Sequence, residues 1–308
     1  MKVLFINNYI HPKNLHALMK YGFDIETKHS NIDSIDISSY DVVYSPSTPI
    51  QTNKYPNTKF IFGPHFSVFP VKHQLDMISS TNAVYSQPSD WVCQFWQKNA
   101  ECTASLKVLP FGVDTELFHP EKPLNMREKV FIYVKRRHPT ELEKITRFLQ
   151  IKGFSPKIFD YIHKYNESDY IQYLKESKFA VWLSAHESQG FALQEALACD
   201  VPLFVWNVTS LNQEYGCGYP DIPATTIPYW DNKCGEYFTK EHEIEPTFDV
   251  FISKLNTYRP REFVLENLSI EKCAQKFVDI VNEIVLPKYV ATPTDFFKEI
   301  ELNGTYNV

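Results

Sequence analysis

LSAHESQGFALQEALACDVPLFVW, residues 183–206, decides how this chain folds. It reads as the end of an apolar strand, a turn bearing Gly190, a helix over 191–199 and a second apolar strand over 202–206. That succession is the repeating unit of a parallel α/β sheet. Ligands of such sheets collect beyond the carboxyl ends of the strands, where this turn stands. The amides of Gln189, Gly190 and Phe191 open the helix, and free N–H groups at the positive end of a helix dipole attract a diphosphate. Ser188 lies in the same turn. Glu187 precedes the turn and Glu195 follows eight positions later, so one carboxylate can face the hydroxyls of a sugar while the other reaches a ribose. Either glutamate alone would pass as a helix charge. Their spacing around Ser188-Gln189-Gly190, in an otherwise apolar stretch, favours ligand contact. Only nine glycines occur in 308 residues, and one placed where backbone must approach phosphate has a physical role. Phe191 also suits the core.

Working outward, the alternation continues on both sides. Downstream of residue 128 the pattern predicts a strand over 130–134, then a helix to about 152 with Thr140 and Glu143 as capping box. Strand 157–162, helix 168–177 and strand 179–183 follow. Upstream, strands are predicted at 3–6, 23–27, 41–45, 59–63, 83–86 and 106–109, with helices at 15–21, 73–80 and 89–99, the last capped by Ser89. The chain reads as helical from about 259, most strongly over 270–284. The fold class is α/β, with two Rossmann-like domains of parallel strands. Residues 1–117 form the first domain, 118–128 a connector, 129–285 the second domain and 286–308 a tail.

Lys135, Arg136 and Arg137 follow a buried-type strand directly, beside the anion-binding helix, and can neutralise a diphosphate. Strand alternation favours Lys135 and Arg137 over all three. His65 follows the strand at 59–63 through Gly63-Pro64, an exit that can turn it toward the cleft. Trp91, Phe95 and Trp96 fall on one face of a helix and are read as core rather than as an acceptor stripe.

Composition narrows the function classes. A net charge of −6 and a pI near 5.9 exclude broad nucleic-acid binding, which needs a basic surface. The six cysteines show neither zinc-ligand nor disulfide spacing, so no metal is expected. The apolar run after Lys2 is too short for a signal peptide and no later run spans a membrane, so a soluble, cytoplasmic protein is expected. The one Gly-x-Gly, at 216–218, runs into Tyr219-Pro220 rather than a helix. A dinucleotide-dependent oxidoreductase is thereby set aside.

Glu-x7-Glu within ESQGFALQEALACDVP resembles the donor-site motif of retaining glycosyltransferases with the GT-B fold, the glycosyltransferase group 1 (family 4-like) type. A second stretch, PFGVDTELFHP at 110–120, resembles the segment that closes the first domain in that family, about 75 residues upstream. The resemblance runs from Lys2 to about Val285. It implies a GT-B architecture whose sheets face across a cleft, with a sugar moved from a UDP or GDP donor to an acceptor hydroxyl with retention of anomeric configuration. The implied catalytic residues are His65, Glu187 and Arg137. Lys135, Arg137, Ser188, Gln189, Gly190, Phe191 and Glu195 would hold the donor, with no metal and no cofactor. The implied partners are a nucleotide-sugar donor and a glycan, lipid-linked or small-molecule acceptor, with peripheral membrane contact left open. Domain closure would hinge at 111–127, and the tail would cross back to the first domain. The chain departs from the family pattern in two places. Glu143-Lys144-Ile145 stands where a lysine preceding glycine is usual, and Asn7-Asn8-Tyr9 replaces a glycine-rich first turn. A non-catalytic sugar- or nucleotide-binding subunit uses many of the same residues and is the alternative.

Overall fold

The computed structural model describes residues 1–29, 32, 35–99, 102–163 and 165–287. Its first sheet is built from β1 (Lys2–Ile6), β2 (Asp24–Lys28), β3 (Val42–Ser45), β4 (Phe60–Phe62), β5 (Ala83–Gln87) and β6 (Ser105–Val108), in the order β2-β1-β3-β4-β5-β6. Each pairing is parallel. β3, β4 and β5 are buried throughout, as interior parallel strands covered on both faces must be. Alternate side chains feed opposite cores: Val3 and Phe5 on one face, Leu4 and Ile6 on the other. Helices α1 (Pro12–Met19), α2 (Lys72–Ile78) and α3 (Asp90–Asn99) connect the strands.

The second sheet contains β7 (Lys129–Lys135), β8 (Lys157–Asp160), β9 (Ser177–Ser184), β10 (Leu203–Trp206) and β11 (Gly235–Phe238), in the order β11-β10-β9-β7-β8 and again all parallel. α4 (Pro139–Ile151), α5 (Glu167–Lys175), α6 (Phe191–Ala198), α7 (Ile244–Ser253) and α8 (Pro260–Asn267) belong to this half, and α9 (Ile270–Glu283) ends the described fold. β11 and α7 escape the sequence reading. GEYF is four residues long with only its ends buried, too little for a periodicity to register.

Two helix starts differ from expectation. α4 is capped by His138, whose ring accepts from Thr140 N while Glu141 reaches back to the His138 amide. Thr140 and Glu143 therefore do not form the box. At α3 the first helical bond runs from Cys93 N to Ser89 O. The Ser89 hydroxyl is buried without a hydrogen-bond partner, so it does not cap.

α9, expected in the second domain, lays its apolar face on the first: Cys273, Phe277, Ile280 and Val281 join the core of β1 and β3. Phe277 packs against the rings of Tyr21, Phe23 and Tyr44. The return to the first domain is thus made by α9. Residues 288–308, most of the expected tail, lie outside the described residues. Gly112 allows the crossing, because a Cβ there would stand 2.4 Å from Ile270 Cα. Nearby, Val113 N donates to Leu268 O at 2.9 Å. Asp114 accepts from Lys20 at 2.5 Å and lies 3.0 Å from His16. Arg261 donates to Phe118 O at 2.9 Å and to Thr115 O at 3.0 Å. The stretch 112–118 is therefore bonded to both halves.

Candidate functional site

The carboxyl ends of the two sheets enclose a cavity of about 880 Å³, lined from the turns after β1, β4 and β5 on one side and after β7, β8, β9 and β10 on the other. This is where the topology of doubly wound sheets collects ligands. α6 points its amino end into the cavity. Gly190 takes φ 79° at the N-cap, a left-handed conformation that glycine adopts at little cost. The first helical bond is from Gln194 N to Gly190 O. The amides of Phe191, Ala192 and Leu193 have no acceptor among the described residues, which leaves them to an anion.

Glu187 lines the cavity, accepting from Ser184 Oγ at 2.5 Å and from Lys135 Nζ at 2.9 Å. Burial pushes the Lys135 ammonium toward losing its proton, but the Glu187 carboxylate outweighs this and raises its pKa. Lys135 is thus a held cation in the cavity into which the α6 amides point. Ser188 is exposed at the cavity wall.

Arg137 is not at the site. Its side chain is 1 % exposed, paired with Glu141 at 2.8 Å and donating to Ser184 O at 3.2 Å and Trp206 O at 2.7 Å. It ties the ends of β9 and β10 to the start of α4. Arg136 lines the cavity instead. Alternation fails because the strand stops at Lys135 and Arg136 adopts φ 48°, a left-handed turn that reverses which neighbour faces the cleft. Such a conformation in a non-glycine residue costs about 1 kcal/mol or more and is held by its surroundings. Here Arg136 Nη1 bonds Glu214 Oε1 at 2.9 Å and Arg136 O accepts from Tyr215 N at 2.9 Å.

Glu195 is buried away from the cavity wall, and its carboxylate is bonded by Lys13 of α1. Lys13 also lies 3.3 Å from Glu167 and itself lines the cavity. Lys13 thus stands over the carboxylate that the sequence reading offers to a ribose. Nothing in the spacing of α1 announces it; its one signal is a position after Pro12, where a helix begins beyond the end of β1. Gln189 is also diverted: its side chain is buried, accepting from Phe111 N at 3.1 Å and donating to Phe111 O, so it clasps the turn before α6 to the first domain. Phe191 lines the cavity and stacks on His11, centroids 5.6 Å apart.

His65 lines the cavity. Its Nε2 lies 3.1 Å from Asn14 Nδ2 and 3.4 Å from the His11 amide. Burial, with His11 adding to it, lowers its pKa to about 4, so the ring is neutral at physiological pH and Nε2 accepts from Asn14. Trp96 and Phe95 are buried in the first-domain core and also line the cavity. Trp91 is only half-buried, and its Nε1 donates to Glu187 O at 2.9 Å across the cleft.

Glu195 carries a pH signature. Burial raises its pKa from 4.5 to about 7, against the opposing pull of Lys13. A folded-state pKa above the unfolded one means that the folded protein binds more protons between these values, so stability falls as pH rises from 4.5 to about 7. The drop is at most roughly 3 kcal/mol. Glu195→Gln is expected to abolish this component, which denaturant melts of both proteins across that window will show. Parallel curves would dismiss the assignment.

No protein-family model matches the sequence, and no curated protein aligns with it significantly. Solved structures do resemble it. AviGT4, a glycosyltransferase involved in avilamycin A biosynthesis, superposes with TM-score 0.54 at 13% identity, over 92% of this chain and 97% of its own. Sucrose-phosphate synthase from Thermosynechococcus elongatus gives 0.55 at 11%, over 92% and 98%. Anabaena HepE, in complex with UDP and glucose, gives 0.50 at 11%, over 92% and 99%. The chain therefore has the two-sheet, all-parallel α/β architecture of GT-B glycosyltransferases, with a cavity of about 880 Å³ between the sheets.

Proposed function

We propose that this protein is a glycosyltransferase that moves a sugar from a nucleoside diphosphate to an acceptor hydroxyl, with retention at the anomeric carbon. The observation that carries this reading is the convergence, in one interdomain cavity, of the α6 amides with Lys135 and Arg136. A departing diphosphate gathers negative charge, and donors already aimed at it stabilise the transition state more than the ground state. Glu187, held by Lys135 and Ser184, faces the sugar hydroxyls. Glu195 reaches the ribose once Lys13 swings aside, its ammonium remaining available to the phosphates. His65, neutral and anchored by Asn14, positions the transferred sugar from the first domain. HepE, a fold neighbour, is described with UDP and glucose bound, which makes UDP the first nucleotide to test.

In this reading protein cations and amides meet the charge of the leaving group, so turnover is expected to survive EDTA. Thermal melting with UDP, GDP, ADP and their sugars tests donor binding. A cognate nucleotide at a hundred times its Kd stabilises by about 2.7 kcal/mol, whereas no shift with any of them would sink the proposal. Donor hydrolysis or transfer separates an enzyme from a non-catalytic binding subunit. Anomeric NMR of the product then tests retention.

A further inference from the structure

The donor reading leaves one buried carboxylate without a task. Glu214, in the turn after β10, takes Arg136 Nη1 on Oε1 at 2.9 Å and has His186 Nδ1 2.8 Å from Oε2. Cys217 Sγ also approaches Oε1, at 3.1 Å. Burial alone would raise the Glu214 carboxyl, but His186, Cys217 and Arg136 outweigh it and bring its pKa to about 2. His186 Nδ1 is buried and makes no hydrogen bond, its approach to Oε2 being an ion-pair contact; a carboxylate that close favours the proton on Nδ1 and leaves Nε2 as the base. Nε2 has no hydrogen-bond partner among the described residues, and His186 lines the cavity. The ring is edge-on to Trp91 at 5.8 Å and to Tyr219 at 6.0 Å, so it stands between an aromatic wall and the donor cations.

We propose that His186, oriented by Glu214, is the general base that takes the proton of the acceptor hydroxyl. The proposal rests on the glycosyltransferase reading and deepens it. Retention by direct displacement requires the acceptor oxygen to approach on the face from which the diphosphate departs. A base for that step must therefore sit beside the cations that hold the diphosphate. Glu214 sets that neighbourhood, because the same carboxylate holds Arg136 and His186. In the step, the hydroxyl proton passes to His186 Nε2 and the acceptor oxygen bonds to the anomeric carbon. The bond from that carbon to the diphosphate oxygen breaks, and its electron pair leaves with the diphosphate. The imidazolium then returns its proton to the departing diphosphate or to water. His65 is less suited, because its Nε2 is already engaged by Asn14. The charged and titratable groups around His186 are Glu214, Arg136, Cys217, Tyr219 and the Lys135–Glu187 pair. Glu214 acts through His186 and is a positioning residue.

Donor hydrolysis, with water as acceptor and UDP-glucose as first probe, tests the dyad. GDP- and ADP-glucose follow if UDP does not bind. His186→Gln keeps a polar side chain but cannot accept the proton. It is expected to lower kcat about 100-fold, to leave nucleotide affinity within about twofold by calorimetry, and to lose the acid limb of the pH–rate profile. Glu214→Gln is expected to lower kcat about tenfold and to shift that limb, and imidazole should restore part of the activity of His186→Ala. A His186→Gln enzyme that hydrolyses the donor at the wild-type rate, keeps the acid limb, or changes only KM overturns the dyad while leaving the transferase reading intact. A wild-type protein that binds no nucleotide and hydrolyses no donor overturns both.

Discussion

Lys135→Ala is expected to lower turnover of the cognate nucleotide sugar by about a thousandfold, the upper range for removing one preorganised donor from a developing anion. Lys135 ends β7, and its ammonium lies 2.9 Å from Glu187 in the cavity into which the free amides of α6 point. Alanine would remove the cation and would also leave Glu187 uncompensated, so that a carboxylate repels the diphosphate where an ion pair had been neutral. Both changes act most strongly as the diphosphate leaves, so kcat should fall more than affinity for the donor. Lys135→Arg keeps the charge and should recover part of the rate. Steady-state hydrolysis and transfer, with circular dichroism to check the fold, measure the effect. A Lys135→Ala enzyme within threefold of wild type would remove the cation from the proposed mechanism.

Arg137→Met is expected to do the reverse, damaging the fold and sparing the site. The buried guanidinium satisfies Ser184 O, Trp206 O and Glu141 together, and stands over the Trp206 ring at 5.4 Å. Methionine fills much of the volume but supplies no donor. Trp206 O then has no donor, while Ser184 O keeps only Thr226 and Glu141 only the His138 amide; the loss costs about 3 kcal/mol, which lowers the melting temperature by roughly 10 °C. Nucleotide affinity, measured by calorimetry well below the new melting point, should stay within about twofold. Lost affinity with an unchanged melting temperature would return Arg137 to the donor site.

The contrast between these neighbours shows where the sequence was legible. The β7 cluster, the α6 turn and their meeting at one cleft follow from strand–helix alternation, because parallel sheets gather the ends of their strands. Which basic residue faces the cleft depends on a single dihedral: alternation holds only while the strand continues, and Arg136 ends it at φ 48°. His186 was in plain view beside Glu187. Its partner Glu214 sits 28 positions later in an irregular loop, where no periodicity links the two.

By itself the sequence determined the α/β class, the two parallel sheets, most of their strands and the glycine turn that opens α6. These are written in local terms, as runs of apolar residues, caps and a glycine, and each run buries its own side chains wherever the chain ends up. Only the tertiary structure decided that α9 packs on the first sheet, that Lys13 covers Glu195, that Gln189 clasps Phe111, and that His186 meets Glu214. The physical reason is common to all four. Each is a contact between segments far apart in sequence, made when two independently patterned halves dock, and the energy of docking is spread over surfaces that no single stretch encodes.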